Sequence, residues 1–327
     1  MLSLIIPVHK SEASLPELLR RLERVADALP AKLEVVCVVD GSPDGSLSYL
    51  EEHLRGRNFH YQLLELSRNF GSFAAIVAGL QTGRGDLFAV LAADLQEPPE
   101  LVLDFYNLLS SASEGVDVVF GQRKEREDPW LSKLSANLFW QLYTRLVNDQ
   151  IPPGGVDVFA CTRRVRDEIL QLPERNTSLV GLLFWVGFKR AFVAYTRRAR
   201  KEGKSAWSFR RKVKYFLDSF FSFTDLPIKL LSLLGLFGMV SSVTIGVIVL
   251  FCKLFGAIEV PGYTATVLTV TFFGGLNSLG LGIIGEYVWR TFQNSQQRPN
   301  YIVRSRWDDS RESQTFVRLS GGREGIQ

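Results

Sequence analysis

Val-Leu-Ala-Ala-Asp-Leu-Gln-Glu-Pro-Pro-Glu, residues 90 to 100, marks the end of a predicted buried strand. The apolar run Leu87–Leu91 predicts the strand, and the two prolines end it. If the strand continues to Asp94, its alternation places the Asp94 and Gln96 side chains on the same side. A carboxylate and an amide at the carboxyl end of a strand suit a hard divalent cation that keeps water and phosphate oxygens as its other ligands. The alternative is a polar strand end followed by a Pro-Pro turn.

Strand and helix patterns alternate on both sides of this stretch, as far as about Asp225. Apolar runs predict four more strands, at Leu2–Val8, Leu33–Val39, Tyr61–Leu66 and Val116–Phe120. The alternation with helical patterns predicts an α/β domain with a mostly parallel sheet covered by helices, and the segment is long enough for a full core. Pro7, near the end of the first strand, suggests that this strand lies at a sheet edge.

A short polar sequence, Asp40-Gly41-Ser42-Pro43-Asp44, follows the second predicted strand. We expect a strand-end loop in which Asp40 accepts hydrogen bonds from a ligand, because open α/β sheets bind ligands at such strand ends. An Asp-Gly turn is the simpler alternative. The spacing of the oxygen-bearing residues also matches a calcium loop of the EF-hand type. Such a loop follows a helix, however, and here a strand precedes it.

Arg123 and Asp157 lie next to two other predicted strands. At the end of its strand, Arg123 suits bidentate pairing with a phosphate, or else it is solvated surface. Asp157 is the only acid in the loop Pro152–Asp157, which enters a short strand, and its alternative role is a structural hydrogen bond. Between them, the amphipathic and aromatic segment Asp128–Asn148 is expected to lie flat at a membrane interface, or to pack on the sheet.

Two long stretches after Asp225, Leu230–Cys252 and Pro261–Gly285, contain no Lys, Arg, Asp or Glu. Each exceeds the roughly 20 residues needed to cross a bilayer, so we predict two transmembrane helices rather than two buried core helices. Lys and Arg are frequent before the first stretch and after the second but sparse between them, which predicts that the domain and the tail are both cytosolic. The amino terminus has no signal-peptide pattern. The three cysteines are scattered, which indicates neither a disulfide framework nor a metal site and fits a reducing compartment.

A basic run, Thr196–Lys214, contains nine Lys or Arg residues against the single acid Glu202. Aromatic residues interleave with these cations, a pattern that is also found in nucleic-acid-binding proteins. The run ends shortly before the first uncharged stretch, however, where each cation near anionic lipid contributes ~1 kcal/mol. We therefore expect a membrane surface rather than nucleic acid as the partner. Gly203 and Ser205 indicate a loop that approaches a phosphate closely. The sequence contains no Walker A motif, GxxxxGK[ST].

Five short motifs occur together in one order, and their combination resembles a known enzyme family. The chain resembles the inverting family-2 glycosyltransferases of the dolichyl-phosphate-mannose-synthase type, which have a GT-A fold, and among them the bacterial bactoprenol (undecaprenyl-phosphate) glucosyltransferases. The resemblance covers roughly residues 1 to 303. The motifs that carry it are Ile6-Pro7-Val8, Val39-Asp40-Gly41-Ser42-Pro43-Asp44-Gly45, Ser67-Arg68-Asn69-Phe70-Gly71, Ala93-Asp94-Leu95-Gln96-Glu97-Pro98-Pro99 and Arg200-Lys201-Glu202-Gly203-Lys204-Ser205-Ala206-Trp207.

The resemblance implies that a hexose moves from a nucleotide sugar, with UDP-glucose favoured, to undecaprenyl or another polyprenyl phosphate. GDP-mannose and UDP-aminoarabinose derivatives are the alternative donors. A catalytically silent membrane scaffold that binds nucleotide sugar is the alternative from another class. The implied cofactor is Mg²⁺ or Mn²⁺, and the implied location is the inner membrane of a bacterium, with the catalytic domain in the cytosol.

The resemblance also assigns roles to individual residues. By similarity, Pro7 and Asp40 hold the base and ribose, and Ser67 and Asn69 belong to the same substrate-binding set. Asp94 and Gln96 bind the metal, Arg123 and Arg200 contact phosphates, and Ser205 positions the lipid phosphate. The implied catalytic residues are Asp94, Asp157, Arg123 and Arg200. The sequence departs from the family's pattern at three positions, where Val39 and Ala92 replace frequent acids and Trp207 replaces a frequent tyrosine.

The predicted organisation has four segments. Residues 1–205 form the cytosolic GT-A catalytic domain, 206–228 an amphipathic juxtamembrane segment, and 229–288 the two transmembrane helices. Residues 289–327 form a cytosolic tail with a short strand at Tyr301–Val303, and the tail is expected to be disordered from about Asp308. Because an exposed strand can pair with another chain, we expect the tail strand to join a neighbouring subunit in a homo-oligomer.

Overall fold

The computed structural model describes residues 1–111, 115–123, 156–172, 178–196, 226–255, 262–296, 298–309 and 311–314. The predictions for Arg200, Ser205, the segment Asp128–Asn148 and nearly all of the basic run therefore lie outside the described residues. The same is true of most of the juxtamembrane segment.

The described residues form a nine-stranded sheet with helices on both faces. Its strands are β1 (Leu2–Val8), β2 (Leu33–Val39), β3 (His60–Leu66), β4 (Leu87–Val90), β5 (Val118–Arg123), β6 (Val156–Thr162), β7 (Arg190–Tyr195), β8 (Val303–Asp308) and β9 (Arg311–Gln314). Their order across the sheet is β7-β5-β6-β4-β1-β2-β3-β8-β9. The four central strands, β4, β1, β2 and β3, are parallel, which confirms the predicted α/β architecture.

Helices cover the two faces of the sheet. They are α1 (Leu15–Ala28), α2 (Ser46–His53), α3 (Ser72–Thr82), α4 (Leu101–Ser110), α5 (Arg163–Leu170) and α6 (Leu179–Trp185), and two longer helices follow, α7 (Leu226–Leu254) and α8 (Tyr263–Ser295). Alternate residues of β1 and β2 enter opposite cores. One core contains α1, α2 and α4, and the other contains α3, α5 and α6. Burial on both faces explains why these strands are continuously apolar.

The first strand lies in the middle of the sheet, so the edge position predicted from Pro7 is wrong. On the β4 side, the carbonyl of Ile5 accepts from the Leu91 amide; on the β2 side, the carbonyl of Val8 accepts from the Asp40 amide. Because backbone groups alternate along a strand, the nitrogen of Pro7 faces β4. The pairing with β4 extends only as far as Ile5, so a proline two residues later removes no ladder hydrogen bond.

The tail strand belongs to this chain's own sheet. β8 begins at Val303, where the predicted short strand ends, and pairs antiparallel with β3 of the same chain. The predicted pairing of this strand with a neighbouring subunit is therefore wrong, because β8 already has a partner strand on each side. The strand β9 extends the ordered tail to Gln314, beyond the predicted start of disorder at Asp308.

The first uncharged stretch lies within α7, and the second lies within α8 from Tyr263 onward. Counting only the residues that the structure describes, no helix is both long enough and apolar enough to cross a membrane.

Candidate active site

The sheet has a topological switch point between β1 and β4. From β1 the chain winds outward to β2 and β3, and then returns to the other side of β1 to form β4. Open α/β sheets bind ligands outside the carboxyl ends of the strands at such a point. The parallel strands β1 to β5 all end at this edge, and the antiparallel β6 begins there. The edge carries every predicted site residue that is described: Pro7, Asp40, Ser67, Asn69, Asp94, Gln96, Arg123 and Asp157.

The Asp94 side chain lies in a turn after β4, not on the strand itself. β4 ends at Val90, so the predicted continuation of the strand to Asp94 is wrong. Leu95 adopts a left-handed conformation with φ 57°, which a leucine rarely tolerates, and strained backbone of this kind is common at functional sites. The turn allows the backbone amide of Gln96 to donate a hydrogen bond to Asp94 Oδ1 at 3.3 Å. Asp94 and Gln96 are both half-buried.

The side-chain oxygens of Asp94 and Gln96 suit a metal ion that is also coordinated by a substrate. Within the described ranges, no group of three or more His, Cys, Asp or Glu side chains could hold an ion. One carboxylate and one amide are too few for an all-protein calcium cage, but Mg²⁺ commonly uses one or two carboxylates together with waters and phosphate oxygens.

Two contacts outside the turn hold it in place, and neither was predicted. The Ser14 hydroxyl donates to the carbonyl of Ala93 at 2.8 Å. Arg21, almost fully buried on α1, forms an ion pair with Glu100, which directly follows the two prolines. An arginine on the apolar face of a helix was the signal in the sequence, because a buried guanidinium requires a partner. Both contacts fix the turn to α1.

Asp40 holds the loop that follows β3. Its side chain is only 2% exposed, and its two oxygens accept hydrogen bonds from the amides of Phe70 at 2.7 Å and Gly71 at 2.8 Å. Gly41, with φ 52°, allows this loop to come close, since a Cβ there would lie 2.4 Å from the backbone of Arg68. Asp40 therefore orders the Ser67–Gly71 loop. Its predicted contact with the base and ribose stays a prediction.

We expect Asp40→Asn to lower the free energy of unfolding by about 1–3 kcal/mol, the cost of a buried donor that loses its acceptor. An asparagine has a single acceptor oxygen, so one of the two loop amides loses its partner. Urea denaturation measures the change. Asp104→Asn, the same substitution at an exposed position of α4, serves as the matched control and should shift stability by less than about 0.5 kcal/mol. Equal stabilities of the two variants would contradict the role of Asp40.

His9 connects three of the strand ends and was missed by the sequence interpretation. Its Nδ1 lies 3.0 Å from the carbonyl oxygen of Asp40. A carbonyl can only accept, so Nδ1 carries the proton and donates. The side-chain nitrogen of Asn69 lies 3.1 Å from Nδ1 and 3.2 Å from Nε2, and only the unprotonated Nε2 can accept from it. The signal in the sequence was the position of His9, immediately after the strand that borders the switch point.

The polar loop after β2 does not form a calcium site. Asp40 faces the Ser67–Gly71 loop, whereas Asp44 accepts hydrogen bonds from the Ser42 hydroxyl at 2.6 Å and from the Glu12 amide at 3.2 Å. The two carboxylates thus have different partners, which supports the strand-end loop over the EF-hand interpretation. Partial burial favours a raised pKa for Asp44, but hydrogen bonds from Ser42, Ser46 and the Glu12 backbone outweigh it, and the pKa is lowered.

Arg123 and Asp157 bracket the part of the chain that lies between β5 and β6. Arg123 is the last residue of β5, which runs from Val118 rather than from Val116, and it pairs with Tyr195 of β7. Asp157, predicted to end the loop before the strand, is instead the second residue of β6. Both residues therefore lie at the switch-point edge. Arg200 and Ser205 lie outside the described residues.

Comparisons with known proteins identify the family. Glycosyl transferase family 2 matches residues 3–171, about half of the chain. The uncharacterized glycosyltransferase sll0501 of Synechocystis is 34% identical over 307 residues, which cover 94% of this chain and 95% of that protein. The uncharacterized glycosyltransferase YkcC of Bacillus subtilis is 33% identical over 302 residues, which cover 92% of each.

A solved structure shows a more distant similarity. It is glucosyl-3-phosphoglycerate synthase from Mycobacterium tuberculosis, crystallised with Mn²⁺, uridine diphosphate and glucosyl-3-phosphoglycerate. It aligns with a TM-score of 0.41 and 17% identity over 62% of this chain and 73% of that one. The family match and the two relatives decide the assignment: the chain belongs to glycosyl transferase family 2, and its layered sheet is the GT-A-like α/β fold.

Proposed function

We propose that this protein moves a hexose, with UDP-glucose the favoured donor, to undecaprenyl or another polyprenyl phosphate at the cytosolic face of a bacterial inner membrane. Glycosyl transfer from a nucleotide sugar follows from the family. We propose, in addition, the identity of the sugar, the identity of the lipid acceptor and the side of the membrane on which transfer occurs. The observation that supports it best is the position of Asp94, Gln96 and Arg123 at one sheet edge, beside the switch point.

The chemistry requires charge control more than proton transfer. A phosphate monoester has a second pKa near ~6, so the acceptor is already largely ionised at neutral pH. Its oxygen attacks the anomeric carbon, and the bond from that carbon to the nucleoside diphosphate breaks with inversion. Asp94 and Gln96 would hold a Mg²⁺ or Mn²⁺ ion, which neutralises charge on the departing diphosphate. Arg123 pairs with a phosphate oxygen, and Asp157 orients the acceptor or the sugar.

Two uncharged stretches of the sequence support the proposed membrane location. In the complete sequence, the stretches Leu230–Cys252 and Pro261–Gly285 contain no charged residue, and each exceeds the roughly 20 residues of a bilayer span. Large apolar side chains are exposed along both helices, among them Leu233, Leu236, Phe237, Phe272, Leu281 and Val288. Exposed apolar surface of this extent typically marks an interaction site. Lipid would cover it, and the flanking cations would place the catalytic domain on the cytosolic side.

Transfer of labelled sugar to undecaprenyl phosphate tests the proposal. The full-length protein in detergent is incubated with the lipid and with each of UDP-glucose, GDP-mannose and a UDP-aminoarabinose derivative. We expect a labelled lipid product from UDP-glucose that requires Mg²⁺ or Mn²⁺ and disappears with EDTA. Product from another donor alone would move the assignment to that sugar.

The same assay decides between the enzyme and the silent scaffold. The scaffold is favoured by Ala92 and Val39, which stand where the resemblance makes an acid frequent. If nucleotide sugar binds but no donor gives lipid-linked product, the scaffold is the better assignment. Asp94→Ala serves as the negative control, because a product that persists in this variant does not come from the proposed site.

A further inference from the structure

The carboxy-terminal tail contacts the Ser67–Gly71 loop directly. β8 pairs with β3 from Gln62–Asp308 to Leu66–Val303, and the register shifts after Glu65. Just beyond the last pair, the amide of Ser67 donates to the carbonyl of Ile302 at 2.9 Å. The first residue of the loop is thus hydrogen-bonded to the residue that enters β8.

Tyr301 fixes the start of β8 in the core. Its side chain is 9% exposed and packs in the same core cluster as Leu66 and Ile76, on the α3 side of the sheet. Its hydroxyl donates to the Gln81 side chain on α3, the helix that begins immediately after the loop. Burial raises the pKa of Tyr301 to about 12, so the hydroxyl keeps its proton and remains a donor at physiological pH.

The loop is therefore held from two opposite sides. On the β2 side, the Asp40 carboxylate binds the amides of Phe70 and Gly71. On the β8 side, Ile302 binds the Ser67 amide, and Tyr301 connects the strand to the helix beyond the loop. β8 in turn begins only a few residues after α8 ends at Ser295. The chain thus returns from its last long helix directly to a strand end of the catalytic sheet.

We propose that Tyr301 is a positioning residue for nucleotide-sugar binding, acting through Ile302 and the Ser67–Gly71 loop. The inference rests on the proposed function and on the resemblance, which assigns Ser67 and Asn69 to the substrate-binding set. It assigns the tail a role in donor binding, in addition to its role in extending the sheet. The tail positions the Ser67–Gly71 loop, which binds the nucleotide sugar, and it does not affect the chemical step at Asp94.

Tyr301→Phe, in the full-length protein in detergent, tests the inference against Arg304→Ala as a control. Arg304 belongs to the same strand, but its side chain is 67% exposed and pairs with Glu65 at the surface. We expect Tyr301→Phe to raise the Kd of UDP in the presence of Mn²⁺, and the KM of the donor, by about 3- to 10-fold, the range of one lost hydrogen bond. kcat and the KM of the lipid acceptor should change by less than about 2-fold, as should every parameter of Arg304→Ala.

Hydrogen exchange provides a second measurement that does not depend on activity. Peptides that contain residues 67–71 should exchange faster in Tyr301→Phe, while peptides from β2 should be unchanged. If the wild-type protein binds UDP and Tyr301→Phe binds it equally well, with unchanged exchange in the loop, the inference is wrong and the proposed function survives. If the wild-type protein binds no nucleotide at all, the donor site and the inference both fail. A loss in kcat with unchanged donor KM would also overturn it.

Discussion

Asp94→Asn is expected to lower kcat by about 10²–10³-fold, the typical effect of removing one group that stabilises developing charge. Asparagine keeps an oxygen that can accept from the Gln96 amide, so the turn after β4 should retain its conformation. It removes the one negative charge that Asp94 contributes to cation binding. Initial rates with saturating donor and acceptor measure the effect.

Two controls separate this loss from a general defect. Asp104→Asn makes the same change at an exposed position of α4 and should leave kcat within about 2-fold of the wild type. Binding of Mn²⁺, followed by electron paramagnetic resonance in the presence of UDP, should weaken in Asp94→Asn and not in the control. A variant at position 94 with near-normal kcat and normal Mn²⁺ binding would remove Asp94 from the site.

Gly41→Ala is expected to reduce the free energy of unfolding by about 2–5 kcal/mol, through two costs that add. The residue has φ 52°, which an alanine adopts only with strain. The new Cβ would also lie 2.4 Å from the backbone carbon of Arg68 and from the nitrogen of Asn69, so the Ser67–Gly71 loop must move. We expect the donor KM to rise together with the loss of stability. Urea denaturation and donor titration measure the two effects.

Gly56→Ala separates the two costs. Gly56 also has a positive φ, 76°, but a Cβ at that position would meet no atom within 4 Å. This variant should therefore lose only about 1 kcal/mol, the conformational cost alone, and should bind donor normally. The difference between the two losses in the free energy of unfolding gives the cost of placing a Cβ where the Gly41 and Arg68 backbones lie close together. Equal losses would show that the loop accommodates the new methyl group.

The buried strands could be predicted from the sequence because a parallel strand covered on both faces has a continuous apolar run. That pattern does not show which strands pair with one another. Pro7 was therefore the only available signal for the position of the first strand, and it suggested a sheet edge. In the structure β1 is central, and it tolerates the proline because its pairing with β4 extends only to Ile5. For the same reason the pattern could not show that the strand before Asp94 ends at Val90.

The positions of the candidate site residues could be predicted more completely than their contacts. Strand ends identify Asp40, Asp94 and Arg123 because the carboxyl ends of parallel strands share one edge. The partners of Asp40 lie about thirty positions away, at Phe70 and Gly71, and backbone amides leave no mark in the sequence. His9 was missed for a similar reason, since its partners belong to two other loops.

The reversed direction of β6 has a consequence for how the substrate range of such enzymes can diverge. Because β5 leaves the sheet at Arg123 and β6 enters it at Asp157 on the same edge, both junctions of the intervening sequence are anchored in the scaffold. Strand pairing alone therefore keeps the two flanking residues in place, with β5 held by β6 and β7, and β6 held by β4 and β5. Evolution, or a protein engineer, has at this point two fixed junctions on the edge of the sheet that carries the candidate site.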